Sequence, residues 1–85
     1  MFNVQLDNQP EKFLRKADKI LRKRLYDKIN DLINDPFSSD AKRVVGRKEK
    51  TYRVRVGDYR ILYVVYSEDN TILISKIDKR SRVYG

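Results

Sequence analysis

The chain has no cysteine, no histidine and no apolar run approaching the roughly 20 residues of a membrane-spanning helix. Without cysteine, it can form no disulfide, no thiolate metal site and no cysteine nucleophile. Without histidine, it lacks the usual general base of enzymes and the commonest ligand of transition metals. Its N-terminal residues do not have the pattern of a secretory signal peptide. These absences indicate a cytoplasmic protein that makes no contact with a membrane.

Positive charge is abundant, and most of it lies in the C-terminal half. The 85 residues are expected to form one domain, residues 1–85, because so short a chain has no room for a second core. Lysine and arginine number 20 against 12 acidic residues, which gives a net charge of +8. Residues 1–41 hold eight basic and seven acidic side chains, whereas residues 42–85 hold twelve and five. The second half therefore carries the field that would attract a polyanionic partner.

The N-terminal part predicts a strand followed by two helices. Residues 2–6 alternate apolar and polar side chains, which is the period of a half-buried strand. Pro10 favours the first turn of a short helix that ends near Ala17, and Asp18 can cap a second helix. The second helix ends before Pro36, because the residue preceding a proline is disfavoured in a helix. Its apolar positions recur at helical spacing and form one core-facing stripe: Ile20, Leu21, Leu25, Ile29, Leu32 and Ile33.

The C-terminal part changes to the period of strands. Its alternation predicts strands at residues 52–56, 59–66 and 71–77, with a turn at Gly57-Asp58 and another at residues 67–70. Residues 38–50 are expected to be irregular. Helices that precede a three-stranded meander indicate an α+β fold, in which an N-terminal strand and a helical hairpin pack on one face of a small antiparallel sheet.

The two-residue loop Gly57-Asp58 determines which side chains share a face of the sheet. Glycine at its first position favours a type II′ turn, which pairs Arg55 with Arg60 across the hairpin. One face is then apolar and aromatic, and we expect it to meet the helices: Tyr52, Val54, Val56, Tyr59, Ile61, Tyr63 and Val65. The opposite face carries three arginines and two apolar residues expected to be exposed: Arg53, Arg55, Arg60, Leu62 and Val64.

The arginines predict an anion site. Like charges directly opposite each other in a sheet are unfavourable, so Arg55 and Arg60 are better explained if an anion lies between them. Guanidinium groups bind phosphate through paired, charge-assisted hydrogen bonds. A basic loop around Gly46 is expected to add phosphate contacts without sequence preference: Lys42, Arg43, Arg47, Lys48 and Lys50. The alternative for both groups is a solvated surface with no ligand.

A resemblance to the RelE/ParE superfamily of toxins from type II toxin–antitoxin systems is carried by residues 52–63, YRVRVGDYRILY. The segments 34–36, 42–46 and 79–84 match the same pattern, so the resemblance covers nearly the whole chain. It favours the RelE-like branch, of the archaeal or thermophile type. It implies a RelE-like domain in which a small antiparallel sheet packs on a helical hairpin and presents a concave basic face.

The resemblance also implies an activity. RelE-type toxins enter the ribosomal A site and cleave the mRNA there, which inhibits translation. The resemblance implies a reaction without a metal or other cofactor, in which the 2′-hydroxyl of the mRNA attacks the adjacent phosphate. The residues that match the family's catalytic set are Arg53, Arg55, Arg60, Arg80 and Tyr84.

The roles implied for these residues differ. The first three arginines would neutralise charge on the phosphate, and Arg80 would stabilise the transition state or the leaving oxygen. Tyr84 would orient a base by stacking or act as the general base. Arg82 and the basic loop around Gly46 would contact RNA or the ribosome. Asp78 stands where many members of the family have glycine.

Members of the family usually bind a small antitoxin. The resemblance therefore implies a RelB-like, acidic antitoxin in a hetero-oligomeric complex, in addition to mRNA and the 30S ribosomal subunit. We expect the antitoxin to cover apolar surface near Leu62, Val64 or the helical hairpin. Two other functions stay open: a ParE-type inhibitor of DNA gyrase that cleaves no RNA, and a basic RNA-binding module without activity.

Overall fold

A computed structural model describes residues 1–47 and 49–79, in which two helices pack on one face of a five-stranded sheet. The strands are β1 (Asn3–Leu6), β2 (Lys42–Val44), β3 (Thr51–Val56), β4 (Tyr59–Tyr66) and β5 (Thr71–Lys79). The helices are α1 (Asn8–Lys16) and α2 (Lys19–Asn34), and a 3-10 turn (Ser67–Asp69) precedes β5. The order across the sheet is β1-β5-β4-β3-β2. The α+β fold class is confirmed.

Both edges of the sheet differ from the prediction. β1 is part of the sheet instead of packing on its face, and it runs parallel to β5 with Val4 opposite Ile72, so the sheet is mixed. The stretch that was expected to be irregular contains β2, which places Lys42 and Arg43 in an edge strand. A strand of three residues is too short to show alternation, so the sequence pattern gave no sign of it.

An aspartate caps each helix at the predicted start. The Asp7 carboxylate accepts the N–H of Asn8 at 2.8 Å, and the Asp18 carboxylate accepts the N–H of Leu21 at 2.9 Å. The stripe on α2 is confirmed except for Ile20, which is 76% exposed. Ile20 lies about 140° around the helix from Leu25, which is five residues later and fully buried. No helix in the described residues is long and apolar enough to cross a membrane.

The inner face of the sheet, which is the face toward the helices, carries the side chains predicted for it. Val54, Ile61 and Tyr63 are fully buried there against Leu25 and Leu32 of α2. The Tyr63 hydroxyl donates a 2.6 Å hydrogen bond to the carbonyl of Pro36, and burial raises the pKa of its phenol. This contact ties the segment after α2 to the middle of the sheet.

One extra residue in β5 determines which of its side chains reach the outer face. Leu62 pairs with Lys76 whereas Tyr63 pairs with Ile74, so Ser75 is an unpaired bulge residue. Its hydroxyl donates to the carbonyl of Leu62 at 3.2 Å. The alternation restarts after the bulge, so Ile77 returns to the core and its neighbours, residues 76 and 78, lie on the outer face.

Candidate functional site

The β3–β4 hairpin has the predicted register. Arg55 is opposite Arg60 and Arg53 is opposite Leu62. Gly57 has a φ of +58°, a backbone conformation that favours glycine, and this φ is the reason that the turn requires it. A Cβ at this position would lie 2.6 Å from Nη2 of Arg24 on α2, but that exposed guanidinium is the end of a flexible side chain and can move away. Asp58 has no positive φ, in agreement with a type II′ turn.

Two rows of charged side chains cross the outer face at the turn end of this hairpin. In the first row, Arg60 on β4 lies between Arg55 on β3 and Asp78 on β5. The second row runs through four strands: Lys42, Arg53, Leu62 and Lys76. Neighbouring strands are about 4.8 Å apart, so both rows fit within the reach of a few nucleotides. We call these two rows the cationic face; it carries five cations and one carboxylate.

The three arginines of the cationic face have no ionic partner among the described residues. Asp78 is directly opposite Arg60, yet among the described residues its ion pair is with Lys76, whose Nζ lies 3.8 Å from Oδ2. Arg60 is half-buried, and its Nε is a buried donor without an acceptor in the described part of the chain. A buried donor left without an acceptor costs about 1–3 kcal/mol. The cationic face is therefore ready to accept an anion.

The apolar residues of the outer face were expected to be exposed, and that prediction is wrong. Leu62 is 2% exposed and Val64 is 7% exposed. By register, Leu62 lies between Arg53 and Lys76, and long basic side chains cover apolar neighbours with their aliphatic stems. Val64 is opposite Thr51, which is itself buried. These residues offer no apolar surface for a partner.

The other basic residues predicted for the site do not all lie on the cationic face. Lys42 joins the cationic face, but its neighbour Arg43 pairs with Tyr52 and so belongs to the inner-face side of the edge strand. Arg47 and Lys50 are exposed in the connection between β2 and β3. Four of the predicted site residues lie outside the described residues: Lys48, Arg80, Arg82 and Tyr84.

Sequence reasoning missed two members of the cationic face, Lys76 and Asp78. Both are on the outer face because of the bulge at Ser75. The signal was present in the spacing of the isoleucines, which changes from two residues between Ile72 and Ile74 to three between Ile74 and Ile77. A change of spacing within a strand indicates a bulge, since each core residue must keep to the same face.

An ion pair holds the entry to β2. The carboxylate of Asp40 accepts hydrogen bonds from Nζ of Lys28 and Oγ of Ser38, both at 2.6 Å. The bond from Lys28 is the main cause that lowers the pKa of Asp40 to about 2. Asp40 is two residues before Lys42, the first residue of β2. The ion pair between Lys28 and Asp40 therefore attaches the start of β2 to α2, and β2 brings Lys42 to the cationic face.

A groove of about 660 Å³ lies on the other side of the molecule, along the helical hairpin. Its floor is apolar and includes Phe13, Leu21 and Tyr59, of which Phe13 and Tyr59 meet edge to face at 5.8 Å. Two lysines of α1, Lys12 and Lys16, and one carboxylate, Asp18, also line it, so its net charge is positive. The groove combines apolar surface with positive charge.

No group of three potential metal ligands occurs in the part of the chain that the structure describes.

A family model described as the ParE toxin of type II toxin–antitoxin systems, parDE, matches residues 4–84. The match spans nearly the whole sequence, and the chain therefore belongs to this family of toxins, within the RelE/ParE superfamily. The RelE-like branch is confirmed as well, because a relative named RelE1 is 35% identical over 98% of this chain.

The relatives are RelE proteins from archaea and bacteria. A candidate toxin of Methanocaldococcus jannaschii named RelE1 is 35% identical over an alignment of 86 positions. The alignment covers 98% of this chain and 94% of that protein. The RelE–RelB complex of Pyrococcus horikoshii OT3 matches with a TM-score of 0.81 and 29% identity, over 95% of this chain and 97% of that one. The isolated Escherichia coli RelE toxin also has a TM-score of 0.81, at 23% identity, over 99% and 92% of the two chains; this match shows a common fold.

Proposed function

We propose that this toxin is a ribosome-dependent endoribonuclease that cleaves mRNA in the ribosomal A site and thereby inhibits translation. The observation that carries the proposal is the cationic face, where Arg55 and Arg60 are placed side by side without an ionic partner in the described residues. Repulsion between them opposes folding, and a phosphate bound between the two guanidinium groups would offset that cost. The likeness to RelE proteins supports mRNA as the source of that phosphate.

Cleavage by this face would be an attack of the mRNA on itself. The 2′-hydroxyl attacks the adjacent phosphorus, the bond to the 5′-oxygen breaks, and the products are a 2′,3′-cyclic phosphate and a 5′-hydroxyl. Arg55 and Arg60 would hold the phosphate, and Arg53 in the next row would neutralise the charge that develops on it. Arg80 and Tyr84 keep the roles implied by the resemblance. The ribosome would supply much of the alignment of the mRNA.

Primer extension on a defined mRNA, in a cell-free translation reaction with and without ribosomes, tests the proposal. The wild-type protein should cut at A-site codons only when ribosomes are present. Arg60→Ala should reduce the cleavage rate by about 10²–10³-fold, as for the loss of one donor to a developing oxyanion. Arg15→Ala is the matched control, because Arg15 is an exposed arginine of α1 whose partner is Glu11, away from the cationic face.

The other outcomes of this experiment would support one of the two alternative functions. Intact mRNA together with arrested growth of the producing cells would point to DNA gyrase, and a gyrase supercoiling assay would then be the next measurement. Intact mRNA, tight salt-dependent RNA binding and normal growth would indicate a binding module without activity.

The proposal includes a RelB-like antitoxin as the partner that restrains the toxin, with which it would form a hetero-oligomer. The P. horikoshii relative is a RelE–RelB complex, which supports this partner. Because Leu62 and Val64 are buried, the outer face offers no apolar contact there, whereas the helical hairpin presents a groove with an apolar floor and two lysines. An acidic, partly apolar antitoxin segment would complement that groove.

Reversing the charge of the groove tests the antitoxin contact. The double variant Lys12→Glu/Lys16→Glu should bind the antitoxin at least ten-fold more weakly in a calorimetric titration. Lys23→Glu provides a control, since Lys23 is an exposed lysine of α2 that does not line the groove. Equal affinities for the double variant and the wild type would exclude this contact.

A further inference from the structure

The chain lacks histidine, so the proton of the attacking 2′-hydroxyl needs another acceptor. On the cationic face, the arginines cannot lose a proton, and an ammonium group of a lysine has only donors and no acceptor. The one carboxylate of this face is Asp78, in the same row as Arg55 and Arg60. Glu49 is also a carboxylate, but it is engaged by the hydroxyl of Tyr66 at 2.5 Å, outside the two rows.

We propose that Asp78 is the general base that accepts the proton of the 2′-hydroxyl during mRNA cleavage. The inference rests on the proposed function, since it assigns a residue to that reaction. It assigns the proton transfer to a strand residue of the sheet, whereas the resemblance alone suggested Tyr84.

The register gives Asp78 a suitable distance from the phosphate. Directly opposite residues in an antiparallel pair have Cβ atoms about 4.5–5.5 Å apart, and Asp78 is directly opposite Arg60. An attacking oxygen lies about 3–3.5 Å from its target atom and about 2.6–3.2 Å from its base. Base and phosphorus are then separated by roughly 5–7 Å, a span that is compatible with a phosphate at the end of the Arg60 side chain and a carboxylate on the neighbouring strand.

The carboxylate of Asp78 has a fixed orientation and keeps an acceptor position for the 2′-hydroxyl. Its Oδ1 accepts the N–H of Lys79 at 2.9 Å, which fixes the orientation of the group. Its Oδ2 is 3.8 Å from Nζ of Lys76, too far for a strong hydrogen bond, and the side chain is 29% exposed. A carboxylate has about four acceptor positions, so a lone pair remains for the incoming hydroxyl.

The step balances without a metal or a further reagent. The 2′-hydroxyl loses its proton to Oδ2 of Asp78 as the bond from the 2′-oxygen to phosphorus forms. The bond from phosphorus to the 5′-oxygen then breaks, and the departing oxygen takes a proton from water. Asp78 returns its proton to solvent once the cyclic product has left, which regenerates the carboxylate.

Single-turnover cleavage of mRNA on programmed ribosomes tests the assignment. Asp78→Asn should slow cleavage by about 10²–10⁴-fold, which is the usual contribution of a general base. Asp78→Ala should be equally slow, and added formate should accelerate it by at least ten-fold, because formate can enter the space left by the side chain and accept the proton. Asp78→Glu should keep more activity than Asp78→Asn.

Three companion measurements separate the alternatives. Asp58→Asn removes the same charge from the exposed hairpin turn, so it should cleave like the wild type. Co-sedimentation should show equal ribosome binding for Asp78→Asn and the wild type. Tyr84→Phe tests the alternative base: if it is slow while Asp78→Asn is within about three-fold of the wild type, the assignment is wrong.

Two further results would overturn the assignment of Asp78, and a third would overturn the proposed function itself. A faster Asp78→Asn variant would overturn the assignment and make Asp78 a brake on phosphate binding. A slow Asp78→Ala variant that formate does not accelerate would overturn it as well, since only orientation of the site would then depend on Asp78. If the wild type itself leaves mRNA intact, the proposed function fails, which is distinguishable from a failure at Asp78 alone.

Discussion

The two faces of the β3–β4 hairpin are formed by alternate residues of the same strands, yet they follow different physical rules. On the inner face, Val54, Ile61 and Tyr63 are buried against the helices and stabilise the fold. On the outer face, Arg55 and Arg60 lie opposite each other, which opposes folding. The contrast teaches that, under the proposed function, stability depends on one face of the hairpin and cleavage on the other, because side chains alternate between the faces. Substitutions on one face should therefore change properties that substitutions on the other leave intact.

The largest effect on stability is expected from the inner face. Ile61→Ala removes a fully buried side chain and leaves a cavity, which should lower the free energy of unfolding by about 2–5 kcal/mol. Urea denaturation monitored by circular dichroism measures this change. Cleavage per folded molecule should stay within about three-fold of the wild type, because the arginines of the outer face are untouched.

The matched control is Val65→Ala, which removes a smaller and only partly buried side chain from the same strand and face. It should cost clearly less than Ile61→Ala. If both substitutions cost the same, burial on the inner face does not decide stability, and the proposed division between the faces is lost.

The second effect comes from the turn that joins the two strands. Gly57→Ala places a side chain at a positive φ, so it should cost about 1–3 kcal/mol, whereas the exposed guanidinium of Arg24 can move away from the new methyl group. Because a shift of one residue would move every side chain to the other face, any rearrangement of the turn should also reduce cleavage. Thermal unfolding and single-turnover cleavage measure the two consequences.

Asp58→Gly serves as the counterpart, since residue 58 has no positive φ and its side chain is exposed. It should cost less than Gly57→Ala and leave cleavage unchanged. A Gly57→Ala protein as stable as the wild type would mean that the turn tolerates a side chain, contrary to the strain expected at its positive φ.

The sequence predicted the inner face more completely than the outer face. Apolar alternation and the loop Gly57-Asp58 were sufficient to give the register of β3 and β4, and with it the position of Arg55 opposite Arg60. Local signals of this kind are strong because each depends only on nearby residues. The core stripe of α2 was predicted for the same reason, apart from Ile20, which the helical rotation carries away from the sheet.

The parts that could not be predicted depend on contacts between distant segments. The parallel pairing of β1 with β5 joins residues almost 70 positions apart, and no local pattern encodes it. The burial of Leu62 depends on the basic side chains of neighbouring strands, which a reading of one strand does not include. Lys76 and Asp78 were missed because the bulge at Ser75 reverses the alternation of β5.

A smaller effect, of opposite sign, should sharpen the comparison. Arg55→Thr removes the repulsion across from Arg60 and introduces a residue that favours strands, so it should raise the free energy of unfolding by about 0.2–1 kcal/mol. Cleavage should fall by at least ten-fold at the same time. Urea denaturation at low and high salt measures the first change, and the gain should shrink at high salt. A loss of stability at low salt would contradict a purely functional role for Arg55.

The smallest effect is expected at the entry to β2, where the pH dependence identifies the cause. Asp40→Asn breaks the ion pair with Lys28 and should cost a few tenths of a kcal/mol at pH 7, because the pair is partly exposed.

The hydrogen bond from Lys28 lowers the pKa of Asp40 from 3.8 to about 2. The stabilisation of the fold by this ion pair is therefore complete above pH 4 and is lost as the pH falls toward 2. Thermal unfolding should therefore show a difference between variant and wild type at pH 7 that shrinks to a small fraction near pH 2 and is lost below it. Glu68→Gln, an exposed carboxylate in the 3-10 turn, should show no such difference. If the difference for Asp40→Asn persisted undiminished at pH 2, packing and not the charge of Asp40 would hold the strand that carries Lys42.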